Sequence, residues 1–257
     1  ISMVKKAKNY ILAGDCYQIN YAQHFSAPAK KDSWKIYKDL RIRMAAPYGC
    51  YYQLGKTKQT ILSFSPERFL KLKGDQVITQ PIKGTVSRGK NSQEDAIKAK
   101  TLIDSEKNKA ENLMIVDLLR NDLSKNCKLG SVKTPELFKL ESFKNVHHLV
   151  STVTGIIKDT ATPLTLLRDC FPGGSITGAP KKRVMEIIDE LELCKRSVYC
   201  GSIGYISANG LMDTNIAIRT ILSDGNKIHC WGGGGIVADS DAEDEYQEIL
   251  NKVGLLI

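Results

Sequence analysis

Apolar residues along the first third of this 257-residue chain switch between helical and strand spacing. Ile1, Val4, Ala7, Ile11 and Leu12 recur every three or four positions, which predicts a helix with Gly14 as its C-cap. From Cys16 to Phe25 the period drops to two, placing Tyr17, Ile19, Tyr21 and Phe25 on one face of a strand. Ser33 is positioned to cap a second helix carrying Trp34, Tyr37, Leu40 and Met44, stopped by Pro47. Tyr48–Leu54, Thr60–Ser65, Arg68–Lys73 and Gln76–Thr79 then read as one β-meander, turning at Gly55 and at Gly74-Asp75.

Ser92 to Leu123 predicts two consecutive helices, the second around Leu113-Met114-Ile115-Val116. Val146 to Ile157 alternates as a strand, and Thr162-Pro163 has the cap-then-proline order of a helix start. A further helix from Pro180 buries Val184, Ile187, Ile188 and Leu191. Tyr199–Ala208, Leu211–Leu222 and Lys227–Trp231 form two hairpins in succession, with turns at Asn209-Gly210 and Asp224-Gly225. Ser240 and Glu243 have capping-box spacing for a last helix. Hairpin-linked strands between helices make the class α+β, and no low-complexity linker divides residues 1–257 into separate domains.

Composition is that of an ordinary globular protein, 42% hydrophobic and 25% charged. No apolar run reaches the roughly 18 residues of a membrane span, and no signal-peptide core is visible, so the expectation is a cytoplasmic protein without a membrane partner. Seven cysteines without C-x-x-C spacing read as reduced thiols. The net charge of +9 comes from scattered lysines, whereas a nucleic-acid partner calls for a concentrated basic stripe. A lysine-rich solvated surface and a field that attracts a small dianion are both consistent with that charge.

Several residues carry candidate chemistry. Gly173 to Gly178 has P-loop glycine spacing, but Ala179-Pro180 stands where Lys-Ser/Thr is needed. Gly232 to Gly235 lacks the third dinucleotide glycine. Each run is either a tight loop or a stretch whose exposed N–H groups meet a carboxylate. Glu245 and Glu248, spaced i, i+3, share a helix face from which Tyr246, Ile249, Leu250 and Val253 point away. Such a pair is either solvated or a holder of a hard divalent ion, with Glu111 as a third donor. Lys83 stands in the apolar, tightly turned Pro81-Ile82-Lys83-Gly84-Thr85, where an amine is either merely exposed or confined enough to act as nucleophile or base. Glu67 invites an ion pair with Arg68, and of His147 and His148 at least one belongs to core or surface.

These signals gain meaning from their order. Gly14-Asp15-Cys16-Tyr17-Gln18, SPERFL from Ser65, PIKGT from Pro81, AENLMIVDLLRNDL from Ala110 and HLVSTVTG from His148 appear in sequence. FPGGSITGAPKKRVMEIIDELE from Phe171, GSIGYIS from Gly201, DTNIAIRT from Asp213 and GGGIVADSD from Gly233 follow. In these strings the chain resembles the chorismate-utilising enzymes, which include component I of anthranilate and aminodeoxychorismate synthases and the isochorismate and salicylate synthases.

The resemblance implies an α/β/β/α arrangement, two antiparallel-rich sheets packed face to face between helical layers with a cleft between them. It assigns Glu111, Glu245 and Glu248 to Mg²⁺, which holds the ring carboxylate of chorismate. Tyr205, Arg219, Gly233, Gly234 and Gly235 match positions that bind the enolpyruvyl carboxylate, and Thr85, His148 and Thr177 line the ring. Gln18 stands where isochorismate-forming relatives carry a water-activating lysine, and Lys83 marks the aminodeoxychorismate synthase branch, anthranilate synthases reading Pro-Ile-Ala-Gly-Thr there. On that branch Lys83 is the covalent nucleophile, Glu67 the general acid and ammonia the second substrate. No Gly-x-Cys-x-Gly glutaminase elbow surrounds any cysteine, so ammonia is expected from solution or from a glutamine amidotransferase subunit. The chain departs from the family at Ser87, where Gly-Thr-x-Pro-Arg-Gly has proline, and at Ala242, where proline is common. A further N-terminal region of the family is not in this sequence. The alternatives are anthranilate synthase component I, a fused-lyase form, an anion-binding module and a basic nucleic-acid binder.

Overall fold

Two units share the chain, and each is built on its own antiparallel sheet. The computed structural model describes residues 1–256. The first unit comprises 1–66, 176–203 and 215–257, the last residue lying outside the described range; the second comprises 67–175 and 204–214.

The elements run α1 (Ser2–Leu12), β1 (Gln18–Pro28), α2 (Ser33–Met44), β2 (Tyr48–Gln53), β3 (Thr60–Ser65), β4 (Arg68–Lys73), β5 (Gln76–Thr79) and β6 (Ile82–Ser87). They continue as α3 (Ser92–Asp104), α4 (Glu106–Ser124), β7 (Lys133–Ser142), β8 (Val146–Ile156), α5 (Pro163–Cys170), β9 (Gly178–Ala179) and α6 (Lys181–Leu191). The last are β10 (Gly204–Ile206), β11 (Met212–Asn215), β12 (Thr220–Ser223), β13 (Lys227–Ile236) and α7 (Ala242–Val253).

In the first unit the strand order is β2-β3-β12-β13-β1-β9. α1 and α6 supply Val4, Ala7, Val184, Ile187, Ile188 and Leu191 to a core with Ile19 and Ile236. A second core joins Tyr37 and Leu40 of α2 and Val253 of α7 to Leu62, Phe64, Ile221 and Cys230. Each fully buried Leu or Ile here is worth roughly 1.5–3 kcal/mol of transfer free energy. In the second unit the order is β10-β11-β4-β5-β8-β6, with β7 on β8. α4 lies over β8 and buries Ile115, Val116, Leu119 and Leu123.

Several expected boundaries shift. The predicted meander is divided after Pro66: β2 and β3 belong to the first sheet, β4 and β5 to the second. Leu211–Leu222 is likewise two strands, β11 and β12, in different sheets. Alternation continues through the Leu211–Leu222 junction, and the Ser65-Pro66-Glu67-Arg68 break reads equally as a turn, so periodicity alone cannot reveal a change of sheet. Gly232 to Gly235 form no loop but lie inside β13, paired with Gln23 to Asn20 of β1. The helix caps also move by one residue. Asp32, not Ser33, accepts from Trp34 and Lys35 N–H, and Asp241 rather than Ser240 accepts from Glu243 and Asp244 N–H. A carboxylate at a helix start satisfies orphan donors and also meets the positive end of the dipole. All seven cysteines are free thiols, and only Cys194 is exposed. None of the described helices is long and apolar enough to cross a membrane.

Candidate active site

In the second unit, Lys83 is positioned by an irregularity in β6. Ile82 pairs with Val150 and Thr85 with His148, so three steps along β6 match two along β8. Lys83 and Gly84 therefore share the place opposite Leu149, which is a β-bulge. Gly84 takes φ +84°, and a Cβ there would lie 2.9 Å from Leu102 and 3.0 Å from Asn108, so glycine is required on both counts. The bulge directs Lys83 Nζ to 3.6 Å from Oε2 of Glu111 on α4, with both side chains about 85% shielded (13% and 15% exposed).

Thr85 and His148 meet across the strand pair, Oγ1 to Nδ1 at 2.8 Å, and the His148 ring lies edge-on to Phe143. His147, on the opposite face, is buried too and bonds Ser142 and Asp95. Glu67 is buried and accepts a 2.6 Å hydrogen bond from Ser175. Arg68 beside it reaches Asp213 and Gln80. Tyr205 stands exposed on β10.

The first unit holds a different kind of group. Gln18 opens β1 fully buried, and neither atom of its amide finds a hydrogen-bond partner among the described residues. Gly178 beside it has no room for a side chain, since a Cβ would lie 2.1 Å from the Gln18 carbonyl oxygen. Thr177 is buried, and its carbonyl accepts from Asn20 N–H at 2.7 Å. Arg219 adopts φ +49°, a strained backbone for a side chain of its size. The glycine ladder of β13 exists because α7 and β1 press on it. A Cβ on Gly232 would meet Val253 at 2.6 Å, one on Gly233 the Tyr21 carbonyl at 2.8 Å, and one on Gly234 Glu245 Oε2 at 2.8 Å. Gly235 continues the ladder opposite Asn20.

Glu245 is buried and accepts from the Ser240 hydroxyl at 2.7 Å. Ile249 and Val253 do not point away from it; they share its buried stripe. Glu248 is exposed and pairs with Lys252, whose ammonium also donates to the Gly233 carbonyl. Among the described residues no three His, Cys, Asp or Glu side chains gather as a metal centre. The glutamates nevertheless fit Mg²⁺ in their chemistry, being hard oxygen donors with one carboxylate buried. Mg²⁺ commonly takes only one or two protein carboxylates and keeps water in its other positions.

Sequence reading missed Ser175 and Ser240, which contact Glu67 and Glu245. Their only signal was a hydroxyl inside a glycine loop and one beside a helix cap. It also missed Arg196 and Glu192. This shielded pair ties α6's end to β1 and to the Thr177 loop, through Ala22 N–H and the Asn20 and Ile176 carbonyls. The buried thiols are not nucleophile candidates: burial pushes Cys127 and Cys230 up to about 11 and Cys200 up to about 12.

Comparison with known proteins identifies the family. Residues 1–257 match the family described as chorismate binding enzyme. Aminodeoxychorismate synthase component 1 of Salmonella typhimurium and that of Escherichia coli are each 49% identical over 253 residues, 98% of this chain. The chain spans about half the length of these curated relatives, 55% of each. The crystal structure of anthranilate synthase component I from Streptococcus pneumoniae superposes with a TM-score of 0.90 at 37% identity, covering 100% of this chain and 57% of that one. With its motifs in order and its whole length matched, the chain belongs to the chorismate binding enzyme family.

Proposed function

We propose that this chain converts chorismate and ammonia to 4-amino-4-deoxychorismate in the cytoplasm, as the first of two reactions leading to 4-aminobenzoate, a precursor of folate. The observation that carries the reading is Lys83, largely shielded on the β6 bulge beside Glu111. The 49%-identical relatives are named for this product.

Mg²⁺ held by Glu111, Glu245 and Glu248 would act as a Lewis acid towards the ring carboxylate. Arg219 and the N–H groups of the glycine ladder suit the enolpyruvyl carboxylate, with Tyr205 as a further contact. Thr85, His148 and Thr177 would line the ring. The Lys83–Glu111 pair parts before attack, and the free amine adds at ring carbon 2. The double bond shifts, the carbon 4–oxygen bond breaks, and Glu67 gives its proton to the departing oxygen, so water leaves. Ammonia then adds at carbon 4, the double bond returns, the bond to Lys83 breaks, and the surplus proton goes back to Glu67. The Ser175 hydroxyl donates to one Glu67 carboxyl oxygen and orients the group. Gln18, an amide, provides hydrogen bonds but no base, which disfavours water as the nucleophile.

The test is mass spectrometry of the product formed from chorismate, a magnesium salt and an ammonium salt. Aminodeoxychorismate is expected. Anthranilate would instead place the chain with the 37%-identical structure, and hydroxylated product would overturn the role of Gln18. Glutamine is expected to replace ammonium only when an amidotransferase subunit is added.

A further inference from the structure

β6 is a strand whose own sequence does not fix its register. Its residues, Ile-Lys-Gly-Thr-Val-Ser, are all partly or fully exposed, with no buried alternation. Strands of this kind slip, because no hydrophobic face opposes the move. The bulge offers an obvious route. Continuing the Ile82–Val150 register without the extra residue would set Thr85 opposite His147 and move Lys83 off its present aim.

The far end of β6 carries a dense polar clamp. Arg88 makes a two-pronged contact with Asp95 of α3, at 2.8 and 2.7 Å. Gly89 N–H donates to the same carboxylate at 2.7 Å, and a Cβ at Gly89 would lie 2.2 Å from Asp95 N, so only glycine permits the approach. The Asp95 carboxylate also meets His147 Nε2 at 3.0 Å. His147 is the residue that faces Val86 in the bulged register. Its Nδ1 is engaged by Ser142 of β7, and Arg88 also binds the Asn145 and Phe143 carbonyls. The Arg88 guanidinium, with Gly89 N–H and His147 adding to it, holds the Asp95 carboxyl well below the usual carboxylate range, so the clamp is charged at neutral pH. Paired, charge-assisted contacts are the strong and directional ones.

We propose that Asp95 is a positioning residue that locks the register of β6: by gripping Arg88, Gly89 and His147 together, it preserves the bulge, the aim of Lys83 and the Thr85–His148 hydrogen bond. The catalytic consequence rests on the function proposed above, whereas the register lock does not.

Two measurements on the intact protein separate them. The ring-nitrogen resonance of His148 reports its bond to Thr85, and intact mass after mixing with chorismate without ammonia reports an adduct of chorismate minus water on Lys83. In Asp95→Ala the resonance is expected to move and adduct formation to slow at least tenfold. A disulfide between Ser87→Cys and Val146→Cys, which are paired in the native register, should restore both in that background. A folded Asp95→Ala protein with the parent resonance overturns the lock, as does a loss that the disulfide fails to repair. If the parent itself forms no adduct, the lysine chemistry fails, while the His148 resonance still decides for or against the lock.

Discussion

The two units hold their functional groups in opposite ways. The second presents side chains that can change protonation, Lys83, Glu67 and Glu111, and supports them with bulged or hydrogen-bonded neighbours. The first presents mostly backbone and fixed polar groups: a glycine ladder, a strained Arg219 and the buried amide of Gln18. Recognition of a fixed anion suits rigid strands and N–H groups, whereas proton and bond transfer needs side chains held in exact reach. Changes at Lys83 and Glu67 should therefore act on the chemical step, and changes in the glycine ladder, Arg219 and Gln18 on binding.

The largest expected effect is at Lys83. Lys83→Ala should lower aminodeoxychorismate formation on the order of a thousandfold, or redirect ammonia to carbon 2, with the adduct absent from intact-mass spectra. Parent-rate turnover by that variant would erase the contrast. Glu67→Gln comes next, with kcat about a hundredfold lower and KM little changed, as befits a general acid.

In the first unit Gly234→Ala should act on affinity instead. Its Cβ would push the Glu245 carboxylate, a movable group, so the fold should survive while apparent Mg²⁺ affinity drops about tenfold, or 1.4 kcal/mol. Gly233→Ala would press on the Tyr21 carbonyl and should instead lower the melting temperature. Unchanged metal titration by Gly234→Ala would remove Glu245 from the assignment.

The smallest effect compares two carboxylates. The Asp95 carboxyl is lowered first by Arg88, whereas Asp224 is brought to about 2 by the Lys227 and Asn226 N–H groups, with His229 adding to them. Both are depressed in the folded state, so each contributes stability above the unfolded value of about 3.9 that is lost as pH falls below it. In about 1 M salt, where the Debye length is about 3 Å, the Asp95 contribution should shrink more than that of Asp224. Acid titrations of Asp95→Asn and Asp224→Asn at low and high salt would show whether the distinction holds.

Much of this was legible in the sequence. α4 and α6 follow from spacing, because burial and periodicity coincide there, whereas the apolar repeat of α1 buries Val4 and Ala7 but leaves Ile1 and Leu12 exposed. Lys83, Glu67 and Gln18 stood out through their motifs. What was hidden depends on contacts distant in sequence. Glycines 232–235 signal a loop unless one knows that α7 and β1 press against them. The bulge at Lys83 is a count of residues on two strands, visible only once β8 lies alongside. Spacing from Glu248 set Glu245 on a face apart from Ile249 and Val253, since pairing the two carboxylates hides that Glu245 is also four residues from Ile249 and buried with it.

The pairing of β1 with β13 also dictates when the first unit can form. Ile19 lies against Ile236, so the central seam of that sheet joins positions near opposite ends of the sequence. On a ribosome, β1 must wait unpaired on that side until β13 has emerged, whereas β4, β5 and β8 can assemble well before then. During that interval Ile19 and its apolar neighbours are available to chaperones or to another nascent chain. Loss of β13 and α7 through premature termination should therefore yield an aggregating species with a formed second sheet, not a shortened but soluble enzyme.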